Sequence, residues 1–208
     1  MLFKQIPVGP MLNQSYLIAC GETRDAALVD AAWEPDTLKK ALRENKSNLR
    51  FLLCTHGHAD HVNAVEELLN EFPEAVAVCH AKDRIPAPKN RTRAVEDGSI
   101  LDLGRVKIRC LHTPGHTPGS VTYIAGDSHA FFGDTLFSGE DCGRVDLYRD
   151  GPRQMAASLQ KIRDLPDPLI VCSGHKYGAY DTTTLKFEKE NNRALKCRSV
   201  EEFLEFKG

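Results

Sequence analysis

The segment Thr55-His-Gly-His-Ala-Asp-His61 places three imidazoles and one carboxylate within six positions, His56 to His61. Imidazole nitrogen and carboxylate oxygen are metal donors; they suit zinc foremost, and iron or manganese accept the same set. In an extended stretch, residues two apart project to one side, so His56 and His58 can face one ion. A turn into a following helix would carry Asp60 and His61 toward a second. The competing reading is a polar helix start capped by Asp60, with the histidines merely solvated.

Three further segments offer the same donors. Thr113-Pro-Gly-His-Thr-Pro-Gly119 holds His116 in a turn rich in Gly and Pro, whose backbone path is tightly restricted. Phe132-Gly-Asp-Thr-Leu-Phe137 ends an apolar run with Asp134, and Cys172-Ser-Gly-His175 ends another with His175. Gly115, Gly133 and Gly174 each stand directly before a donor. Glycine admits backbone angles closed to other residues, so each strand end can bend and aim its next side chain into a shared cleft. His80, His112 and His129 lack this context, and His112 is expected at most beside His116, as an outer group.

These donors need a scaffold, and the apolar pattern supplies one. Tyr16 to Cys20 and Ala26 to Asp30 read as strands joined in a hairpin by the polar turn Gly21 to Asp25. Pro35 to Lys46 reads as a surface helix with Leu38, Ala41 and Leu42 on one side, and Phe51 to Cys54 as a buried strand. His61 to Phe72 spaces Val62, Val65, Leu68 and Leu69 at helical intervals until Pro73 stops it. Ala75 to Cys79, Val106 to Leu111, Ser120 to Ala125 and Ala130 to Phe132 are predicted strands. Gly151-Pro152 opens a helix to about Asp164, Leu169 to Cys172 is a strand, and Thr184 to Leu195 is the expected final helix. Pro86 to Thr92, rich in Pro and charge, is a surface loop that could border the cleft.

Bulk properties narrow the function. The chain has 208 residues, enough to bury a full core, and its 41% hydrophobic and 27% charged content is that of an ordinary globular protein. Lys and Arg number 27 against 29 Asp and Glu, so no basic excess exists to track a phosphate backbone and nucleic acid is not the expected partner. Neither a signal-like leader nor an 18-residue apolar run occurs, which predicts a cytoplasmic protein with no membrane partner. The seven cysteines are an odd number with no C-x-x-C pair, so reduced, buried thiols are expected rather than a disulfide framework.

Taken together, T-H-x-H-x-D-H, T-P-G-H-T-P-G-S, G-D-T-L-F and the later G-H resemble the metallo-β-lactamase superfamily across nearly the whole chain. The resemblance implies a four-layer αββα sandwich, with metals at one edge. It assigns His56, His58 and His116 to one ion and Asp60, His61 and His175 to the other, with Asp134 bridging. Two ions about 3.5–4 Å apart can share a hydroxide, lower its pKa and polarise a substrate carbonyl. Asp60 would then orient the nucleophile and receive its proton.

Cys142-Gly-Arg144, Asp146 and Gly174-His-Lys-Tyr177 resemble the branch that holds glyoxalase II and the persulfide dioxygenases, both of which act on glutathione conjugates. By that resemblance Arg144 and Tyr177 would contact glutathione, Arg144 through a planar grip on a carboxylate. Spacing alone equally allows a salt bridge from Arg144 to Glu140 or Asp141, and a packing role for Tyr177. Only 27 residues follow Asp181, fewer than the helical domain of glyoxalase II requires, so one domain over residues 1–208 is expected. The resemblance implies a metal-dependent thioester hydrolase. Its alternatives are a dioxygenase holding one iron on His56, His116 and Asp134, or a lactone or ester hydrolase with the same ligands.

Overall fold

The computed structural model describes residues 1–207. The first half of the chain runs β1 (Leu2–Val8), β2 (Asn13–Ala19), β3 (Asp25–Val29), α1 (Pro35–Glu44), β4 (Asn48–Leu53), α2 (Ala59–Val62), α3 (Val65–Glu71), β5 (Val76–His80) and β6 (Thr92–Val95). The second half runs β7 (Ile100–Leu103), β8 (Val106–His112), β9 (Val121–Ala125), β10 (His129–Gly133), α4 (Gly151–Arg163), β11 (Ile170–Ser173), β12 (Thr183–Thr184), α5 (Leu185–Asn191), α6 (Arg193–Lys196) and α7 (Val200–Lys207). Each half contributes one six-stranded sheet, in the orders β1-β2-β3-β4-β5-β6 and β12-β11-β10-β9-β8-β7.

The strands turn successive side chains to opposite faces; the facing sides of the two sheets are buried, and the outer sides are buried where helices cover them, while Ile100, Asp102, Lys107 and Arg109 of β7 and β8 stay exposed. Leu17, Leu28 and Leu52 turn outward onto α1 and α3, where they meet Leu38, Leu42, Val65 and Leu68. Their neighbours Ile18, Ala27, Val29 and Leu53 turn inward and pack against Ile108, Cys110, Tyr123 and Phe131 of the other sheet. Phe132 and Ile124 face out again, under Met155, Leu159 and Ile162 of α4 and Phe203 of α7. The result is the expected αββα sandwich. All seven cysteines are unpaired, and no described helix is long and apolar enough to cross a membrane.

Two expected helices are broken, each for a local reason. The run from His61 to Phe72 divides after Val62 because Ala64 N–H donates to Ala31 O (3.2 Å), outside the helix, instead of continuing the ladder. Thr184 to Leu195 divides at Asn192, whose extended backbone and side-chain oxygen cap α6 through Leu195 N–H. Nor is that helix final, because α7 follows it. Pro86 to Pro88 is a loop that runs into a 3-10 turn at Lys89–Arg91 before β6 begins at Thr92, and Arg91 ties it to the carbonyls of Leu69, Phe72 and Ala75 at the end of α3 remote from Asp60.

Strand direction decides where the donors gather. β3 and β4 are parallel, as are β10 and β11, so their carboxyl ends emerge together. The turn after β8 lies at the same edge, since β8 and β10 both run antiparallel to β9. Cross-sheet hydrogen bonds lock the two edges in register: Tyr16 O–H donates to Ser173 O (2.7 Å), and Tyr123 O–H to Cys54 O (3.0 Å) and Val78 O (3.1 Å). Tyr123→Phe strands Cys54 O in the core, while Val78 O keeps its bond from Cys54 N–H (2.9 Å), and should lower unfolding free energy by about 1–3 kcal/mol, read from urea denaturation at unchanged m-value.

Candidate metal centre

Seven donors converge at this edge. His56, His58 and His116 bring one nitrogen each within 4.8 Å of one another, and Asp60, His61 and His175 form a second such triad. Within the first, His58 Nδ1 lies 3.1 Å from His56 Nε2 and 2.9 Å from His116 Nε2. Within the second, His61 Nε2 and His175 Nε2 are 3.0 Å apart, and Asp60 Oδ2 is 3.4 Å and 3.3 Å from them. Asp134 stands between, with Oδ2 at 3.3 Å from His116 Nε2 and Oδ1 at 3.4 Å and 3.6 Å from His61 and His175.

Hydrogen bonds on the outer side of each ring assign its inward atom. His175 Nδ1 donates to Met11 O (2.8 Å), His116 Nδ1 to Arg144 O (3.0 Å), and His61 Nδ1 to Asp30 Oδ2 (3.0 Å). Thr55 Oγ1 gives its one proton to Asp30 Oδ2, so it accepts from His56 Nδ1 (3.1 Å). In its neutral form each of these four rings therefore turns an Nε2 lone pair inward. Lone pairs facing at about 3 Å repel unless a cation lies among them, and ions bonded at about 2.0–2.1 Å to neighbouring nitrogens impose separations of that order. Asp134 Oδ1 is buried with no hydrogen-bond partner. A divalent ion on either side of it would satisfy both conditions.

Burial and mutual repulsion, chiefly from His61, His116 and His58, hold His56 well below the usual imidazole range, so it is a neutral donor. His61 behaves oppositely. Burial lowers its pKa, but Asp134, Asp30 and Asp60 outweigh that and bring it to about 9. Burial likewise opposes charge on Asp60, yet hydrogen bonds from His175 and Asn13 and the charge of His61 keep it below the ordinary carboxylate range.

Several supporting residues escaped the sequence reading. Asp30 also accepts from Thr55 N–H (2.7 Å) and is fully engaged by Thr55 and His61, so it orients ligands rather than adding one. Its signal was an acid closing a wholly apolar strand. Asp83 gathers Gly57 N–H (3.0 Å), Gly119 N–H (2.9 Å) and Thr117 Oγ1 (2.6 Å), tying together the two turns that carry His58 and His116. Nothing in its local sequence marks it. Glu188 of α5 accepts from Gly139 N–H (2.8 Å) and backs the loop leading to Arg144.

The remaining expectations divide. Gly115 and Gly133 do adopt left-handed φ, +150° and +54°. Gly174 does not; a Cβ there would lie 2.5 Å from Asp134 Oδ1 and 2.7 Å from His61 Cε1, so it is needed for close approach instead. His112 stacks on His80 (ring centroids 4.0 Å apart) and donates to Pro118 O, two residues along the turn from His116. Arg144 pairs with neither Glu140 nor Asp141: its guanidinium grips Asp146 in two hydrogen bonds (2.8 and 3.0 Å) with both side chains exposed. Tyr177 is half exposed and stacks on His175 with ring centroids 4.6 Å apart, at the rim of the ligand cluster.

The metallo-beta-lactamase superfamily model matches residues 8–175, the span that holds every donor. The chain belongs to the metallo-β-lactamase superfamily. It is 36% identical over 191 residues to a hydroxyacylglutathione hydrolase of Vibrio cholerae serotype O1, covering 91% of this chain and 73% of the relative. Among solved structures, ETHE1 from Myxococcus xanthus superposes with a TM-score of 0.88 at 30% identity, over 100% of this chain and 90% of that one. TTHA1623 in a di-iron-bound form superposes with a TM-score of 0.77 at 30% identity, over 91% of this chain and 98% of that one.

Two outcomes follow for this superfamily member. At neutral pH a metal entering beside His61 must expel its proton, because the group is charged below about 9. Zinc titration calorimetry in buffers of differing ionisation enthalpy should therefore show release of about one proton, and apparent affinity should rise with pH until about 9. Gly174→Ala should lose bound metal in elemental analysis while keeping the far-ultraviolet circular dichroism of the parent, since its added methyl meets Asp134 Oδ1 and His61 Cε1 more closely than the Gly133 backbone (3.0 Å).

Proposed function

We propose that this chain is a metal-dependent hydrolase of thioesters, with hydroxyacyl thioesters of glutathione as the substrate class. The observation that carries the reading is the placement of two donor triads on either side of Asp134, whose buried Oδ1 has no hydrogen-bond partner. Two divalent ions, zinc foremost with iron or manganese suited to the same donors, would supply Lewis acidity and a water made nucleophilic at neutral pH. His56, His58 and His116 would hold one and Asp60, His61 and His175 the other. The di-iron form of TTHA1623 supports a binuclear centre.

The chain's own residues do the rest. Asp60 Oδ2 is half-buried, kept ionised by its neighbours, and fixed by Asn13, so it can orient the attacking water and take its proton. No side-chain nucleophile is then required. Departure of a thiolate needs no general acid, because a thiol's pKa is about 8.5. Tyr177, on the rim, offers a half-exposed ring to the substrate's glutathione portion. Arg144 would exchange Asp146 for a substrate carboxylate, a small loss because an exposed ion pair contributes little. The name of the Vibrio cholerae relative supports this substrate class.

A second reading, a dioxygenase acting on glutathione persulfide with one ferrous ion on His56, His116 and Asp134, draws support from the full-length likeness to ETHE1. Metal content separates the two. Protein purified without added metal should contain two ions and turn over S-lactoylglutathione, and Asp60→Asn should lower kcat by about 10²–10⁴-fold. One iron, with oxygen uptake on glutathione persulfide and no thioester turnover, would replace this reading with the second.

A further inference from the structure

Asp60 is reached from outside by a chain of hydrogen bonds that begins at the only tryptophan of the sequence. Trp33 Nε1–H donates to Asn13 Oδ1 (2.9 Å), and Asn13 Nδ2–H₂ donates to both Asp60 O (3.1 Å) and Asp60 Oδ2 (3.0 Å). Asn13 is buried, and these bonds engage both ends of its amide. An indole N–H can only donate. It therefore compels the oxygen of Asn13 to face Trp33 and the NH₂ to face Asp60, where an unprotonated carboxylate is the matching acceptor. Without the indole, the amide would be free to turn over and set an oxygen against the carboxylate.

The backbone around Trp33 is held in an unfavourable shape that serves this bond. Trp33 has φ +54°, and Leu12, next to Asn13, has φ +59°; bulky side chains rarely occupy this left-handed region. Such outliers persist only where their surroundings over-determine them, and they gather at functional sites. Here Asn63 Oδ1 accepts from Trp33 N–H (2.6 Å), which uses the break between α2 and α3. Glu34 Oε1 accepts from Gly9 N–H (2.9 Å), and the Trp33 ring lies against Gly9, where a Cβ would sit 2.2 Å from Trp33 Cδ1. A loop merely closing β3 to α1 would need none of these ties.

We propose that Trp33 and Asn13 form a positioning relay that fixes the Asp60 carboxylate toward the second donor triad, which makes Trp33 an optical reporter of that triad's occupancy. The proposal rests on the reading of Asp60 as a ligand, and not on the identity of the substrate. Zinc added to the metal-free chain should change the emission of Trp33 in step with one of two binding equivalents. Trp33→Phe and Asn13→Ala, titrated against a chromophoric chelator, should weaken that equivalent by about 10–100-fold and leave the other unchanged. Loss of both equivalents together would mean general damage to the site and would overturn the relay.

Trp33→Phe keeps an aromatic ring but loses the five-membered ring that carries the N–H and lies against Gly9, so an unchanged urea midpoint in that variant separates positioning from lost packing. Parent-like binding of both equivalents by both variants would overturn the relay and leave the metal centre standing. A parent chain that binds no zinc, iron or manganese would remove the centre itself, and the relay with it. Failure to hydrolyse any thioester, with the binding pattern as expected, would count against the proposed substrate class alone.

Discussion

Five imidazoles and two carboxylates aimed at one small volume form an arrangement that cannot be neutralised from within. Four of the rings have committed Nδ1–H outward, to Met11 O, Arg144 O, Asp30 and Thr55, so each inward Nε2 lies about 3 Å from another ring nitrogen: His61 against His175, and both His56 and His116 against His58 Nδ1. Each outward bond is a choice of tautomer made by the scaffold. A proton can relieve one contact, as the raised pKa of His61 indicates, but a proton cannot be shared among three donors at once. A divalent cation can. The rest of the molecule consists largely of what is needed to hold that unfavourable cluster together.

The sandwich meets this demand through strand direction. Parallel pairs in each sheet bring four strand ends to one edge, and the hairpin between β8 and β9 adds the turn holding His116. Loops at such an edge are free to differ in sequence while the strands beneath stay apolar. Tyr16 and Tyr123, buried between the sheets, tie the two edges in register by hydrogen bonds to main-chain carbonyls, so the ligands inherit the rigidity of the core. Burial thus serves stability and chemistry through the same contacts.

Around the donors lies a second ring of residues whose contribution is orientation. Asp30, Asp83 and Asn13 each satisfy several polar groups that belong to ligand-bearing turns, and Trp33 holds Asn13 in place. Removing such a group leaves buried partners unsatisfied as well as a ligand misdirected, a larger loss than a single contact would suggest. Close approach imposes a further condition at Gly174, where the backbone lies against Asp134 and His61.

The order of residues by itself determined the donor types, the close spacing from His56 to His61, the glycine before each distant donor, and the period-two strands that imply buried sheets. These are local properties, carried by neighbouring side chains. Asp83 as a clamp, the break after Val62, the stacking of His112 on His80 and the grip of Arg144 on Asp146 had no comparable mark. Each depends on a partner brought close only by the packing of the sheets, or on a choice among several partners of equal sequence spacing. The assembly of the donors into two triads about Asp134 belongs to the same class: which lone pairs face which is a matter of strand order and direction, and that geometry exists only in the folded chain.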